Sequence, residues 1–479
     1  LALYLLPILF TFLAALAPKN VVKYVGLMGA LFSLFLTFNL MKGFNPDAMY
    51  LLIDPNVSNS FGLTFKMGYD GIGMFMILLT NVIVLLIMLA NLNRELANQR
   101  GFNAMVMLMQ FGLLGVFTAH DGIMFYMFWE ITLIPIFLIA YWYGGTDKKP
   151  VLIKFFIYTF IGSLAMLLSL MALGAYGHNF AYESLIALNL KPEHAFWIMG
   201  GFFLAFAIKI PLVPFHTWQP NTYTTAPMAG TMLLSALMLK MALFGIVKWM
   251  IPLAPEALVH YKSIVLVLGV IGVVYAGIIA VKQTDVKRLF AFASISHVGL
   301  IAAALMLFTY DVLTGGFVQI INHSLVAVGL FLAADVLESR LGTRDLTQMG
   351  GIAKLAPRFA FWFAVIAFAS VSVPFTSGFI GEFLLIKGLY LENWIIGLIA
   401  GTTLVFGAVY TFRAYQLAMY GAPKYTAFDD LSWNEQLTFL LLTGLIVIIG
   451  VYPQYVIEMV GPSARKLMDI LQLSNTVIK

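Results

Sequence analysis

The sequence predicts an all-α polytopic membrane protein, with about fourteen transmembrane helices in a single domain over residues 1–479. Three observations carry that expectation. Of 479 residues, 61% are hydrophobic and only 10% charged, against about 25% charged in an ordinary soluble domain. The mean hydropathy is +0.94. Apolar runs long enough to cross a bilayer, about 20 residues each, follow one another along the chain with only short polar connections. A soluble core could not bury so much apolar surface, and no stretch is left for a sizeable soluble catalytic domain.

Taken in order, runs bounded by charge, Gly and Pro place spans near 1–17, 21–41, 72–92, 101–119, 122–143, 151–176 and 195–215. Further spans follow near 225–250, 260–281, 288–308, 312–337, 359–391, 394–420 and 436–460. Backbone polar groups cannot stay unpaired in hydrocarbon, so each span is a helix or is buried among helices. The first run has no basic segment before it and no small-residue cleavage site after it, so it reads as a span and not as a signal peptide. Within the fifth, Pro135 loosens the helix ladder after Glu130.

Two spans are irregular. The seventh carries Lys209 followed by Pro211 and Pro214, and the twelfth carries Pro374, Thr376, Ser377 and Gly378 before Glu382. Broken helices at matching places in two halves point to an inverted-repeat transporter with its ion path at the breaks. The first repeat is expected over about 101–250 and the second over about 260–420.

Basic residues concentrate in loops after odd-numbered spans, among them Lys148, Lys149, Lys287, Arg288, Arg340 and Arg344. That bias puts both termini on the non-cytoplasmic side. A net charge of +5 therefore reflects topology and not nucleic-acid binding. With no cysteine, disulfides, thiolate zinc sites and Cys-ligated iron–sulfur clusters are excluded. No dinucleotide glycine motif, P-loop or nucleophile elbow appears. Any redox centre must therefore sit on another polypeptide, and no cofactor or metal is expected on this chain.

The informative residues are charges inside spans. Glu130 lies in FWEITLIPIF, Lys209 in AFAIKIPLVPFHTW, Lys240 in LMLKMALFG and Glu382 in SGFIGEFLL. Each mid-membrane charge costs about 2.5–3.5 kcal/mol, so four cost on the order of 10 kcal/mol unless paired or hydrated. Helix-locking ion pairs would return only about 0.6–2 kcal/mol each. Burial favours the neutral forms of Lys and Glu, whereas contact between them favours the charged forms. Making and breaking a Glu–Lys pair therefore moves protons, and His297 and His323 stand mid-span as near-neutral relay groups. The other histidines, His120 and His216 included, lie at span ends or in loops and are expected to be solvated, with His216 at an entrance. Arg413 is expected to snorkel. For Lys387, pairing with Glu382, continuing the path and reaching the interface stay open.

Together with KFFIYTFIGSLAML, DVKRLFAFASISHVG, INHSLVAVGLF and TRDLTQMGG, these motifs cover about residues 120 to 390. The chain resembles the antiporter-like membrane subunits of respiratory complex I, in the branch with an acidic residue on the twelfth helix. The resemblance implies fourteen helices, with helices four to eight and nine to thirteen as inverted five-helix repeats. It implies that Glu130 switches against Lys209, that Lys240 connects onward, that His297 and His323 form a central relay and that Glu382 ends the path. It further implies an H⁺-translocating NADH:ubiquinone or menaquinone reductase in a bacterial inner membrane. FMN, iron–sulfur clusters and quinone would belong to partner subunits, and neighbouring antiporter-like chains, lipid and protons would be its contacts. After Trp218 this chain reads Gln219-Pro220-Asn221-Thr222-Tyr223, where relatives commonly carry an Asp and a His. A multisubunit cation/proton antiporter subunit, a membrane-bound hydrogenase subunit and a passive scaffold are the alternatives.

Overall fold

The computed structural model describes residues 1–53 and 63–477. Among them, eleven helices are long and apolar enough to cross a membrane, and the shorter apolar helices Ala2–Leu16 and Pro357–Ser370 accompany them. Most follow the apolar runs closely: Val22–Met41, Gly71–Ala90, Gln99–Thr118, Lys148–Gly177, Val286–Leu305 and Trp394–Met419. Three of the expected fourteen are not among the eleven: the first is a helix of only 15 residues, and the seventh and twelfth are interrupted.

The divisions have local causes. In the fifth span the helix stops at Ile131 and restarts at Leu133, where Thr132 turns its hydroxyl onto Trp129 O (2.7 Å) just before Pro135. The seventh ends as a helix at Lys209; Pro211 and Pro214 cannot donate to a continuing ladder, and the chain resumes at Gln219–Thr225. There the indole of Trp218 donates to Ile208 O (2.9 Å), satisfying one of the carbonyls that the break leaves free. The twelfth divides into Pro357–Ser370 and Ser377–Glu392, with Ser372 and Phe375 held at positive φ (57° and 72°) between them. Such strain persists only where surrounding structure over-determines it. Gly450 supplies part of that surround, because a Cβ there would stand 2.4 Å from Thr376 C.

The central Met228–Leu253 helix, wholly buried in the bundle, is not regular. Leu234–Met238 and Ile246–Met250 are π turns on either side of Leu239–Gly245. Three features lay outside the sequence expectations. An antiparallel ribbon pairs Tyr50–Ile53 with Met67–Tyr69. The last apolar span ends at Val451, and after Pro453 an amphipathic helix, Gln454–Val477, packs back on the Gly71–Ala90 and Tyr310–Leu341 helices. At the opposite end of the bundle Arg94 pairs with Asp335, and Arg340 forks onto Glu435 (2.6 and 3.2 Å).

Candidate proton relay

Lys240 is completely buried two residues beyond the first π turn. In an α-helix the Leu239 N–H would bond Ser235 O; here it reaches Leu234 O instead. Ser235 O accepts from Lys240 Nζ (2.7 Å), and Ala236 O accepts from Ser324 Oγ (2.7 Å) on the Tyr310–Leu341 helix. The extra residue in the turn thus aims two carbonyls at buried donors. Lys240 Nζ also meets His323 Nδ1 at 2.7 Å, and His323 Nε2 meets Ser294 Oγ at 3.1 Å.

A second string begins 6.4 Å away, ring centroid to ring centroid, at His297. Its Nδ1 lies 2.8 Å from Glu382 Oε1 and its Nε2 3.0 Å from the Tyr410 hydroxyl. Gln319 donates to the same carboxylate oxygen (3.0 Å), while Glu382 Oε2 is buried with no partner. Gly381 permits this approach, since a Cβ there would lie 2.6 Å from Gln319 Oε1. Between the strings lies a cavity of about 30 Å³ lined by Ser235, Ser294, both histidines, Ser370 and Tyr410. Phe290, Val326, Leu330 and Phe331 also line it, and its volume suits one water held by the serine and histidine groups.

Glu130 and Lys209 face one another without touching. No N–O approach within 4.0 Å joins them, and Glu130 Oε1 and Lys209 Nζ are both buried without a hydrogen-bond partner. The ammonium instead sits 5.4 Å from the centroid of Trp129, a cation–π contact that partly offsets its burial.

All six sequence-predicted residues are therefore buried or half-buried in the bundle, four of them in the two strings and two in an open pair. Ser235, Ser294, Gln319 and Tyr410 were not foreseen. Gln319, Asn322 and His323 stand at helical spacing on one face of an apolar span, and Ser294 and His297 likewise, a signal that single-residue reading passes over.

Several expectations need correction. Of the three roles left open for Lys387, pairing with Glu382 is not seen; the side chain is exposed and reaches Asp311 at 3.2 Å. Arg413 does not snorkel but donates to Val281 O and Gln283 O (2.8 and 3.0 Å), capping the Leu258–Lys282 helix. His120 and His216 are buried (4% and 6% exposed); Lys248, near the end of the 225–250 run, lies inside the Met228–Leu253 helix.

The His120 imidazole is pushed down to about 4, first by burial and then by the Lys248 charge. Its unfolded value is near 6.5. Between the two the unfolded chain binds more protons, so stability is full above 6.5 and is lost as pH falls towards 4. Melting temperature should drop between pH 7 and pH 5, and His120→Gln should flatten that profile.

Residues 119–407 match the family described as NADH:quinone oxidoreductase/Mrp antiporter, transmembrane. The chain belongs to this family. Members similar to it include NADH-quinone oxidoreductase subunit M of Rickettsia typhi, 32% identical over 461 residues and covering 92% of each chain. Subunit M of Escherichia coli K12 is 35% identical over 416 residues, covering 83% of this chain and 81% of that one. Among solved structures, a chain of respiratory complex I from Thermus thermophilus superposes with a TM-score of 0.89 at 30% identity, covering 98% of this chain and 99% of that one. The NADH:quinone oxidoreductase/Mrp antiporter match, residues 119–407, takes in all three of the divided spans of this chain.

Proposed function

We propose that the chain is a proton-translocating membrane-arm subunit of an NADH:quinone oxidoreductase, working beside other antiporter-like subunits. Electrons pass elsewhere in that assembly, on partner subunits that carry flavin, iron–sulfur clusters and quinone. The observation that carries the reading is the pair of hydrogen-bonded strings, Lys240–His323–Ser294 and Tyr410–His297–Glu382, separated by a one-water cavity. Protons cross such a chain by short transfers between groups, and buried ionisable residues in a membrane are costly unless they serve a path. The open Glu130–Lys209 pair is the loading element. Closing it stabilises both charges, and opening it frees a proton for Lys240. Moving one charge against ~150 mV costs about 3.5 kcal/mol, comparable to the roughly 3–5 kcal/mol by which opening a buried ion pair destabilises its charges, so electron transfer that forces the pair open can drive the proton on.

The two broken regions centre the repeats 101–250 and 260–420. The basic loops face the cytoplasm, which places both termini on the other side of a bacterial inner membrane.

Lys209→Ala tests the reading. The complex should assemble, because Lys209 holds no hydrogen bond, yet pumped protons per NADH should fall at least severalfold. Full pumping in that variant would refute the assigned role.

A further inference from the structure

A second buried charge cluster lies at the bundle end where the Gln454–Val477 helix crosses the start of Gly71–Ala90, and the relay just described does not use it. Asp70 caps Gly71–Ala90, accepting from Gly73 N (2.9 Å), and binds Lys248 Nζ at 2.6 Å. Lys248 stands in the second π turn of the helix that also carries Lys240. Its ammonium is 5.1 Å from the centroid of Tyr182, and the same ring lies 5.5 Å from His120. His120 Nδ1 is buried with no hydrogen-bond partner. Outside it Lys66 pairs with Glu183 at 2.9 Å, and the Glu183 side chain is 51% exposed. Backbone bonds from His120 N to Lys66 O and from Tyr182 N to His120 O tie these segments together.

An ion pair alone could be structural. A buried imidazole nitrogen left without a partner beside it costs free energy and returns none unless it exchanges protons or water. Resting on the translocation reading, we infer that His120, backed by the Asp70–Lys248 pair, is the outlet through which the relay releases protons at this end of the bundle. The path runs along Met228–Leu253 from Lys240 to Lys248, eight residues or about 12 Å. It is closed in this conformation by Phe117 against Phe244, 5.3 Å between ring centroids. A proton arriving at His120 Nδ1 makes an imidazolium, which Lys248 repels, and loss of a proton to Glu183 or to water restores the neutral ring. Lys248 thus gives the step its direction. Asp70 balances Lys248, Lys66 offsets Glu183, Tyr182 stays neutral, and Asp121 is engaged in capping Gly122–Ile131 and in bonds from Thr64. Once formed, the imidazolium, whose pKa burial and the Lys248 charge hold down to about 4, gives up its proton readily.

The test uses the intact complex in phospholipid vesicles, with NADH and a short-chain quinone, counting protons with an entrapped pH dye. His120→Gln should lower protons per NADH to the level of Lys240→Met, and the double variant should fall no further. Lys248→Arg, which keeps the charge, should retain at least half of the yield. Glu183→Gln, on the half-exposed rim and safe for folding, should slow pumping at least twofold at pH 8. Wild-type yield in His120→Gln, or an unchanged rate in Glu183→Gln, while Lys240→Met loses its protons, would overturn the outlet and leave the relay standing. An unchanged yield in Lys240→Met would remove both.

Discussion

Lys240→Met should cut proton flux through this chain at least tenfold without weakening the fold. The amine bridges Ser235 O and His323 Nδ1, at 2.7 Å to each. A thioether of similar length fills the same volume but cannot carry a proton. A buried cation also bears a desolvation penalty of several kcal/mol, so its removal should leave the melting temperature unchanged or raise it. Loss of pumping together with retained thermal stability separates a proton carrier from a helix lock. Equal loss of both would favour the lock. The check is proton yield per NADH in vesicles beside thermal unfolding of the purified complex.

Arg340→Ala should have the largest effect on stability. Its guanidinium forks onto Glu435 at 2.6 and 3.2 Å and donates to Asp429 O (2.6 Å) and Asp430 O (3.4 Å). Glu435 also closes a capping box with Ser432 at the start of Trp433–Val451. Removing the arginine strands a carboxylate whose side chain is only 7% exposed, which costs about 3–5 kcal/mol in comparable pairs. Arg94 stands 3.9 Å from the same carboxylate and offsets part of the loss. A fall in assembled complex and in melting temperature is expected, with partial recovery on adding Glu435→Gln, which removes the unpaired charge. No recovery would mean that the arginine's bonds to the 429–430 carbonyls dominate.

Where a span begins and ends was legible because lipid imposes one length and one polarity on nearly every helix. The breaks after Lys209 and before Glu382 were legible because proline removes a donor. The ionisable members of the relay stood out as charges and histidines in apolar runs. The hydroxyl and amide groups that join them did not, since Ser, Tyr and Gln carry no charge and are ordinary packing residues elsewhere. His120 looked solvated because its partners, Lys66 and Tyr182, are remote in sequence. The π turns were invisible for a related reason: apolar runs read by length carry no record of one extra residue in a turn.

Those turns make chain length in the Met228–Leu253 helix a matter of angular phase. Each residue of an α-helix advances a side chain by about 100°, and a π turn lodges one residue without that advance. Deleting one residue between Leu234 and Met238 would remove that turn and leave the phase beyond it unchanged, whereas recasting the turn as α-helix with every residue kept would swing everything beyond it by roughly that angle. Lys240 and Lys248 would leave their partners together, although neither would be altered. The two lysines are thus geared to one another through the backbone, and a shift of the surplus residue along the helix would turn both at once.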